Sequence, residues 1–283
     1  MSFMTKATKR NLMAKLTLLG KLRQWLKPDS AWISCTCPSG EREFILVGSI
    51  HMGIPAMSPL PGGLNDILTG CDALVVEADI TLPFTPELAP PTQLAPLIQQ
   101  LTAEQWQTFE TLCQECQLSS EALANFPAWQ IGLTLQQKQA SLLGLRPEFG
   151  VDYQLLMRAK QTGQSVIALE SQQQQLNLLT TLPDNGLHLL LDSLTHWRSN
   201  ARQLQKMIDW WLSKGQHPRL PLPNLSRSFS NDLHDRFIVE RNQQWAEYLV
   251  SLPAGRYLVA VGALHLCGPG NLVDLLTSLT ERE

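Results

Sequence analysis

Phe44-Ile-Leu-Val-Gly-Ser-Ile-His51 and Tyr257-Leu-Val-Ala-Val-Gly-Ala-Leu-His265 share one form. Each is an apolar run, a glycine, two small or apolar residues and a histidine, followed by a turn containing glycine and proline. Two further apolar runs, over 73–77 and 165–170, each close on a glutamate, Glu77 and Glu170. The Val-rich run before Glu77 does not alternate with polar residues, as expected of a strand buried on both faces. Helical patterns separate the runs, and the order strand, helix, strand, helices, strand, helix, strand, helix predicts an α/β (α+β) fold. Its central sheet is mixed, mostly parallel, and flanked by helices.

Working outward, residues 31–37 and 43–47 read as two strands around the turn 38–40. Prolines between 83 and 96 open a loop that leads into a Gln-rich helical stretch. That stretch, about 97–145, is the predicted insertion forming a cap. Gly150-Val-Asp-Tyr153 opens a helix with Asp152 as a candidate cap. Residues 215–231 read as an exposed loop, 232–252 as one helix carrying Glu240-Arg241-Asn242, and 271–279 as a closing helix. No boundary separates independent domains within 31–283.

The 283 residues are 44% hydrophobic and 17% charged, an ordinary globular composition. A net charge of −3 and a pI of about 6.1 give no general attraction to nucleic acid. One region is basic: Lys6, Lys9, Arg10, Lys15, Lys21, Arg23 and Lys27 precede the first acidic residue, Asp29. Leucines at 12, 16, 19, 22 and 26 recur among them at helical spacing. Residues 1–30 therefore read as a basic amphipathic helix, docked on the protein or lying on an anionic membrane surface. Nothing resembles a cleaved leader or a membrane span, so the six cysteines are expected to be reduced thiols. The chain is placed in the cytoplasm, with the basic helix able to lie against the inner membrane.

In open α/β sheets, ligands and catalytic groups gather beyond the carboxyl ends of the strands. His51 and His265 would converge there if their strands are neighbours. The two glycines would remove side chains where a metal or substrate approaches the backbone. Taken singly, each histidine reads as a strand-end residue bonded to backbone, and each glutamate as a salt bridge or cap. Four such groups on one edge read otherwise, because a carboxylate closing a buried apolar strand needs a cation or donors. Two histidines with one or two carboxylates suit a divalent transition metal, and His51, His265 and Glu77 are the candidate ligands. Glu170 or Glu77 is the candidate general base, and Arg241 with Asn242 can hold a carbonyl or oxyanion. Asp79 and Asp152 are supporting candidates. There is no Gly-x-Ser-x-Gly elbow, phosphate loop, dinucleotide fingerprint or His-Glu-x-x-His motif.

These segments carry a family resemblance. Leu46-Val-Gly-Ser-Ile-His-Met-Gly53 with Pro59-Leu60-Pro61, Val75-Val-Glu-Ala-Asp79, Gly150-Val-Asp-Tyr-Gln154 through Ala168-Leu-Glu170, Glu240-Arg-Asn242 and Val259-Ala-Val-Gly-Ala-Leu-His-Leu266 resemble the TraB/GumN family. The chain is similar to its short enterobacterial members, and more widely to Tiki metalloproteases and to erythromycin esterase-like and ChaN-like proteins. The resemblance implies that His51, His265 and Glu77 hold a metal, with Mn or Co favoured over Zn or Fe. It implies Arg241 and Asn242 as site residues, and a peptide or small amide or ester as substrate. Two alternatives follow from it: an esterase-like hydrolase needing no metal, and a metal- or haem-binding protein without turnover.

Overall fold

The computed structural model describes residues 32–36, 41–87, 95–212 and 231–280. Among them five strands form one sheet: β1 (Trp32–Thr36), β2 (Arg42–Ser49), β3 (Ala73–Val76), β4 (Ser165–Ala168) and β5 (Gly255–Gly262). Their order across the sheet is β1-β2-β5-β3-β4. The four strands from β2 to β4 run parallel, and β1 pairs antiparallel with β2 as an edge hairpin. The mixed, mostly parallel sheet expected from the apolar runs is the sheet observed. The last strand of the chain lies at its centre, between β2 and β3.

Alternate residues of the central strands feed two cores. Ile45, Val47, Leu74, Val76, Leu258 and Ala260 face one side. There they meet α1 (Gly62–Thr69), α4 (Val151–Thr162) and the C-terminal end of α7 (Trp197–Leu212). Phe44, Leu46, Val75, Tyr257, Val259 and Val261 face the other, against α8 (Glu240–Ser251) and α9 (Leu272–Thr280). Each fully buried aliphatic or aromatic side chain contributes roughly 1.5–3 kcal/mol of burial, which explains why these runs are apolar throughout.

The Gln-rich stretch folds as α2 (Ala103–Glu115), α3 (Ala128–Leu142) and two short turns. It builds a separate core from Phe109, Leu112, Ile131 and Leu135, closed by Leu190 and Leu194 of α6 (Leu187–Thr195) and by Trp197. The helical layer thus draws on residues beyond 145. Its first helix starts with a capping box between Thr102 and Gln105. A second box, Ser171 with Gln174, opens α5 (Gln172–Thr180) one residue after Glu170 and ends the β4 run there.

Two local expectations are revised. Asp152 is not the cap of α4: Gly150 is, and Asp152 lies in the first turn. The helix read over 232–252 is interrupted by a π turn at Asp235–Val239, directly before α8. No helix among the described residues is long and apolar enough to cross a membrane. The basic stretch 1–30, the turn 38–40 and nearly all of the loop 215–231 lie outside the described residues.

Candidate functional site

Strand pairing brings the four strand-end groups together. β2 and β5 are neighbours, with Gly48 opposite Val261 and Ser49 opposite Gly262. Beyond β3 and β4 the ladder continues, Glu170 N–H donating to the Glu77 carbonyl at 2.8 Å. His51, His265, Glu77 and Glu170 therefore share the carboxyl edge of the sheet, the position where such sheets bind ligands.

Because the two Gly-x-x-His motifs are one residue out of register, their glycines serve different ends. A Cβ on Gly48 would meet Ala263 Cβ and Trp210 Cη2, both at 3.2 Å, so this glycine admits packing. A Cβ on Gly262 would lie 3.1 Å from Glu77 Oε1, 3.6 Å from His265 Cδ2 and 4.0 Å from His51 Nε2. Gly262 alone opens the space that the candidate ligands border.

Each imidazole is oriented by a partner on its Nδ1. His51 Nδ1 lies 2.9 Å from Asp152 Oδ2, which can only accept, so this nitrogen carries the proton. The contact depends on a tight backbone crossing. Gly53 and Arg146 exchange backbone hydrogen bonds at 3.0 and 2.7 Å, and Val151 N–H donates to the Ile50 carbonyl at 3.0 Å. A Cβ on Gly53 would stand 2.2 Å from the Phe149 carbonyl oxygen, and one on Gly150 2.3 Å from that of His51. These two glycines let the segment after β2 touch the start of α4, which delivers Asp152. Its other oxygen, Oδ1, is buried without a hydrogen-bond partner.

His265 occupies a short 3-10 turn, Ala263–Leu266, and is 4% exposed. Its Nδ1 lies 2.7 Å from Asn242 Oδ1, while Asn242 Nδ2 donates to the carbonyls of His265 and Gly270 at 3.2 and 2.8 Å. With the amide committed that way, His265 donates from Nδ1 and keeps its Nε2 lone pair. Both histidines thus carry the kind of second partner that fixes a ligating or catalytic imidazole.

Arg241 binds both carboxylates. Nε and Nη2 donate to Glu170 Oε1 and Oε2 at 2.8 and 2.9 Å. Nη2 also donates to Glu77 Oε2 at 2.7 Å, and Nη1 to the Phe237 carbonyl at 3.1 Å. Nη1 also stands 3.3 Å from His265 Nε2. Trp245 completes the group. Its Nε1 donates to Glu170 Oε1 at 3.0 Å, and its ring lies 4.5 Å from Arg241 Cζ and 4.4 Å from the His265 ring. Trp245 was not singled out from the sequence. Its spacing of four from Arg241 on one helix was the available signal, since residues so spaced share a face.

The electrostatics follow from burial and these partners. Burial opposes ionisation of Glu77, yet His265, His51, Arg241 and the Gly262 N–H at 2.7 Å outweigh it and hold its pKa at about 2. Burial lowers His265 to about 4, so its ring is neutral at pH 7, and the charges that keep Glu77 ionised there are His51 and Arg241. The Asp152 carboxylate raises His51 to about 9, although the side chain is 65% exposed.

Among the described residues, no group of three His, Cys, Asp or Glu side chains is gathered tightly enough to hold a metal ion. A guanidinium, not a ligand atom, lies against Glu77 and His265. Asp79 is turned aside, accepting from the Thr81 N–H and hydroxyl.

The fold and site define an α/β protein of mixed, mostly parallel sheet, with two oriented imidazoles and two Arg-bridged carboxylates on the carboxyl edge of its parallel strands. The chain matches the model of the TraB/PrgY/gumN family over residues 36–279, and it belongs to that family. It is 47% identical over 245 residues to uncharacterized protein YbaP of Escherichia coli (strain K12), covering 86% of this chain and 91% of the relative. It is 46% identical, with the same coverage, to uncharacterized protein YbaP of Shigella flexneri. No solved structure matches the chain.

Proposed function

We propose that the chain is a hydrolase of peptide or small amide or ester bonds, with a divalent metal held by His51 Nε2, His265 Nε2 and Glu77. One observation carries the reading: both imidazoles have their Nδ1 engaged, and both rings border the space over Gly262 together with Glu77 Oε1. A carboxylate with two imidazoles is a donor set for Mn, Co, Zn or Fe, the His51 imidazolium giving up its Nε2 proton as an ion binds. When bound, such an ion supplies Lewis acidity and brings the pKa of its water toward neutrality.

The chain's own residues do the rest. Asp152 and Asn242 fix the two tautomers. Glu170, whose oxygens already receive three donors, acts as the anchor of Arg241 rather than as a base. Arg241 offers its donors to the oxygen on which charge develops as the carbonyl is attacked. The free, buried thiols of Cys71, Cys113 and Cys116 are consistent with a reducing cytoplasm.

A second reading rests on the open His51 ring with Asp152 on its Nδ1, the arrangement of a general base that needs no metal. Both are tested by calorimetric titration with Mn²⁺ and Co²⁺ and by a panel of peptide and ester substrates with and without chelator. His51→Ala and His265→Ala should each lose metal binding and turnover while keeping the fold. Wild-type affinity in both variants would sink the metal site. Turnover that survives chelator but is lost in His51→Ala and Asp152→Ala would establish the metal-free reading.

A further inference from the structure

Among the described residues β4 closes one side of the sheet, pairing with β3 alone. Leu169 N–H donates to the Val76 carbonyl at 2.9 Å, which fixes the phase of that ladder. Peptide groups in a parallel pair face the neighbour on alternate residues, so Ser165 and Ile167 serve β3. Val166 and Ala168 therefore turn two N–H and two C=O groups outward, and none of the four meets a partner among the described residues. Ser165 and Ala168 are exposed, and the two residues between them are half-buried. The strand is short, but it carries neither the charge nor the proline that keeps an exposed edge from pairing.

β4 runs directly into Glu170, at the edge that carries the candidate site. The loop after Glu77 is tied beside that end. Gln172 Nε2 donates to the carbonyls of Asp79 and Leu82 at 3.0 and 3.1 Å, and Gln173 exchanges two 2.9 Å bonds with the Glu87 backbone. Held by its backbone in this way, the loop displays Ile80, Leu82 and Phe84 at 48, 56 and 40% exposure. Apolar side chains shown together on a tethered loop beside a candidate site mark a contact surface. We propose that an extended apolar peptide segment of the substrate pairs with the outer edge of β4 as an added strand, with its side chains against Ile80, Leu82 and Phe84. The main-chain groups of Val166 and Ala168 hold the peptide, and the loop selects apolar residues. The inference rests on the hydrolase reading above and names the form of its substrate. Strands lie about 4.8 Å apart, so an added strand stands three spacings, about 14 Å, from β5 and the space over Gly262. At about 3.4 Å per residue, the docked segment lies about four residues from the bond to be cut. A dipeptide or a small ester is too short to use it.

The test titrates a fluorescein-labelled octapeptide of alternating leucine and threonine into the full chain and follows its anisotropy, which needs no turnover. The same peptide methylated on its backbone nitrogens keeps its side chains but loses its donors, and should bind about tenfold more weakly or not at all. Ala168→Pro removes one outward N–H and spares the ladder to β3, and should weaken the unmethylated peptide by about tenfold. Leu82→Ser combined with Phe84→Ser should weaken it similarly. Because Ala168→Pro can disturb the end of β4, the methylated peptide on wild-type protein is the deciding measurement. Equal affinity for the two peptides, or no binding of either, overturns the added strand. Self-association of the chain that Ala168→Pro abolishes, with no peptide bound, assigns the edge to a second copy and overturns it as well. Binding as expected, with no cleavage of the octapeptide with or without Mn²⁺, overturns the hydrolase reading and leaves the docking edge standing. Cleavage with the same KM for a tripeptide and the octapeptide does the reverse.

Discussion

His265 is buried, donates from Nδ1 to Asn242 and lies tilted against the Trp245 ring, so its neutral form is the one that fits the fold. With its pKa near 4 in the folded chain against 6.5 when free, protons bind the unfolded chain first. Its stabilising contribution is therefore complete above pH 6.5 and is lost as pH falls toward 4. At 1.36 kcal/mol per unit, that is about 3 kcal/mol. Glu77, held at about 2 against 4.5, prolongs the same loss below pH 4.5. His51 works in the opposite sense: raised to about 9, its contribution is present below pH 6.5 and lost as pH rises through 9, but its exposure leaves that contribution small. Urea midpoints taken with chelator from pH 7.5 to 4.5 should fall for wild type and stay nearly level for His265→Gln. Equal slopes would remove His265 as the source. At this scale the strand-end residues His51, His265, Glu77 and Glu170 were readable, because an ionisable group closing a buried apolar run is anomalous. Asp152 against His51 was not, since 101 positions separate them and no local pattern records the contact.

Elements set those residues against one another, and two crossings matter most. The segment after β2 passes the start of α4 at backbone contact, through Gly53 and Gly150. Gly150 has φ −61°, a value any residue adopts, so its need for glycine is wholly steric. Gly150→Ala should cost about 1–3 kcal/mol, as overpacking does, by pushing α4 from His51. It should also weaken the His51–Asp152 contact, seen as a fall in the His51 pKa by NMR titration. A wild-type His51 titration in a folded Gly150→Ala protein would show that the crossing does not position Asp152. The strands, their parallel pairing and most helices were legible from period and punctuation. The π turn at Asp235–Val239 was not, because a helix of period 3.6 continues on both sides of it and the one-residue change leaves no apolar signature.

Among the described residues two cores flank the sheet and a separate core lies among the helices, and α7 spans from the helical core to one face of the sheet. Trp197 at its start belongs to the helical core, while Ile208 and Trp211 near its end pack against the sheet. Trp211 Nε1 also donates to the Gly48 carbonyl at 3.1 Å, three residues before His51. The sequence carries no trace of this strut, since which helix bridges two cores depends on distances between elements and not on any periodicity within them. Two substitutions separate stability from site geometry. Ile131→Ala, in the helical core and fully buried, should cost about 2–5 kcal/mol in urea unfolding and leave Mn²⁺ affinity as in wild type, because its cluster contains no strand residue. Trp211→Phe keeps the aromatic bulk but strands a buried carbonyl, at about 1–3 kcal/mol. Although its cost is smaller, it loosens the end of β2 and should weaken Mn²⁺ binding. If Ile131→Ala lowers metal affinity as much as Trp211→Phe does, the two cores behave as one cooperative unit and the strut has no separate role.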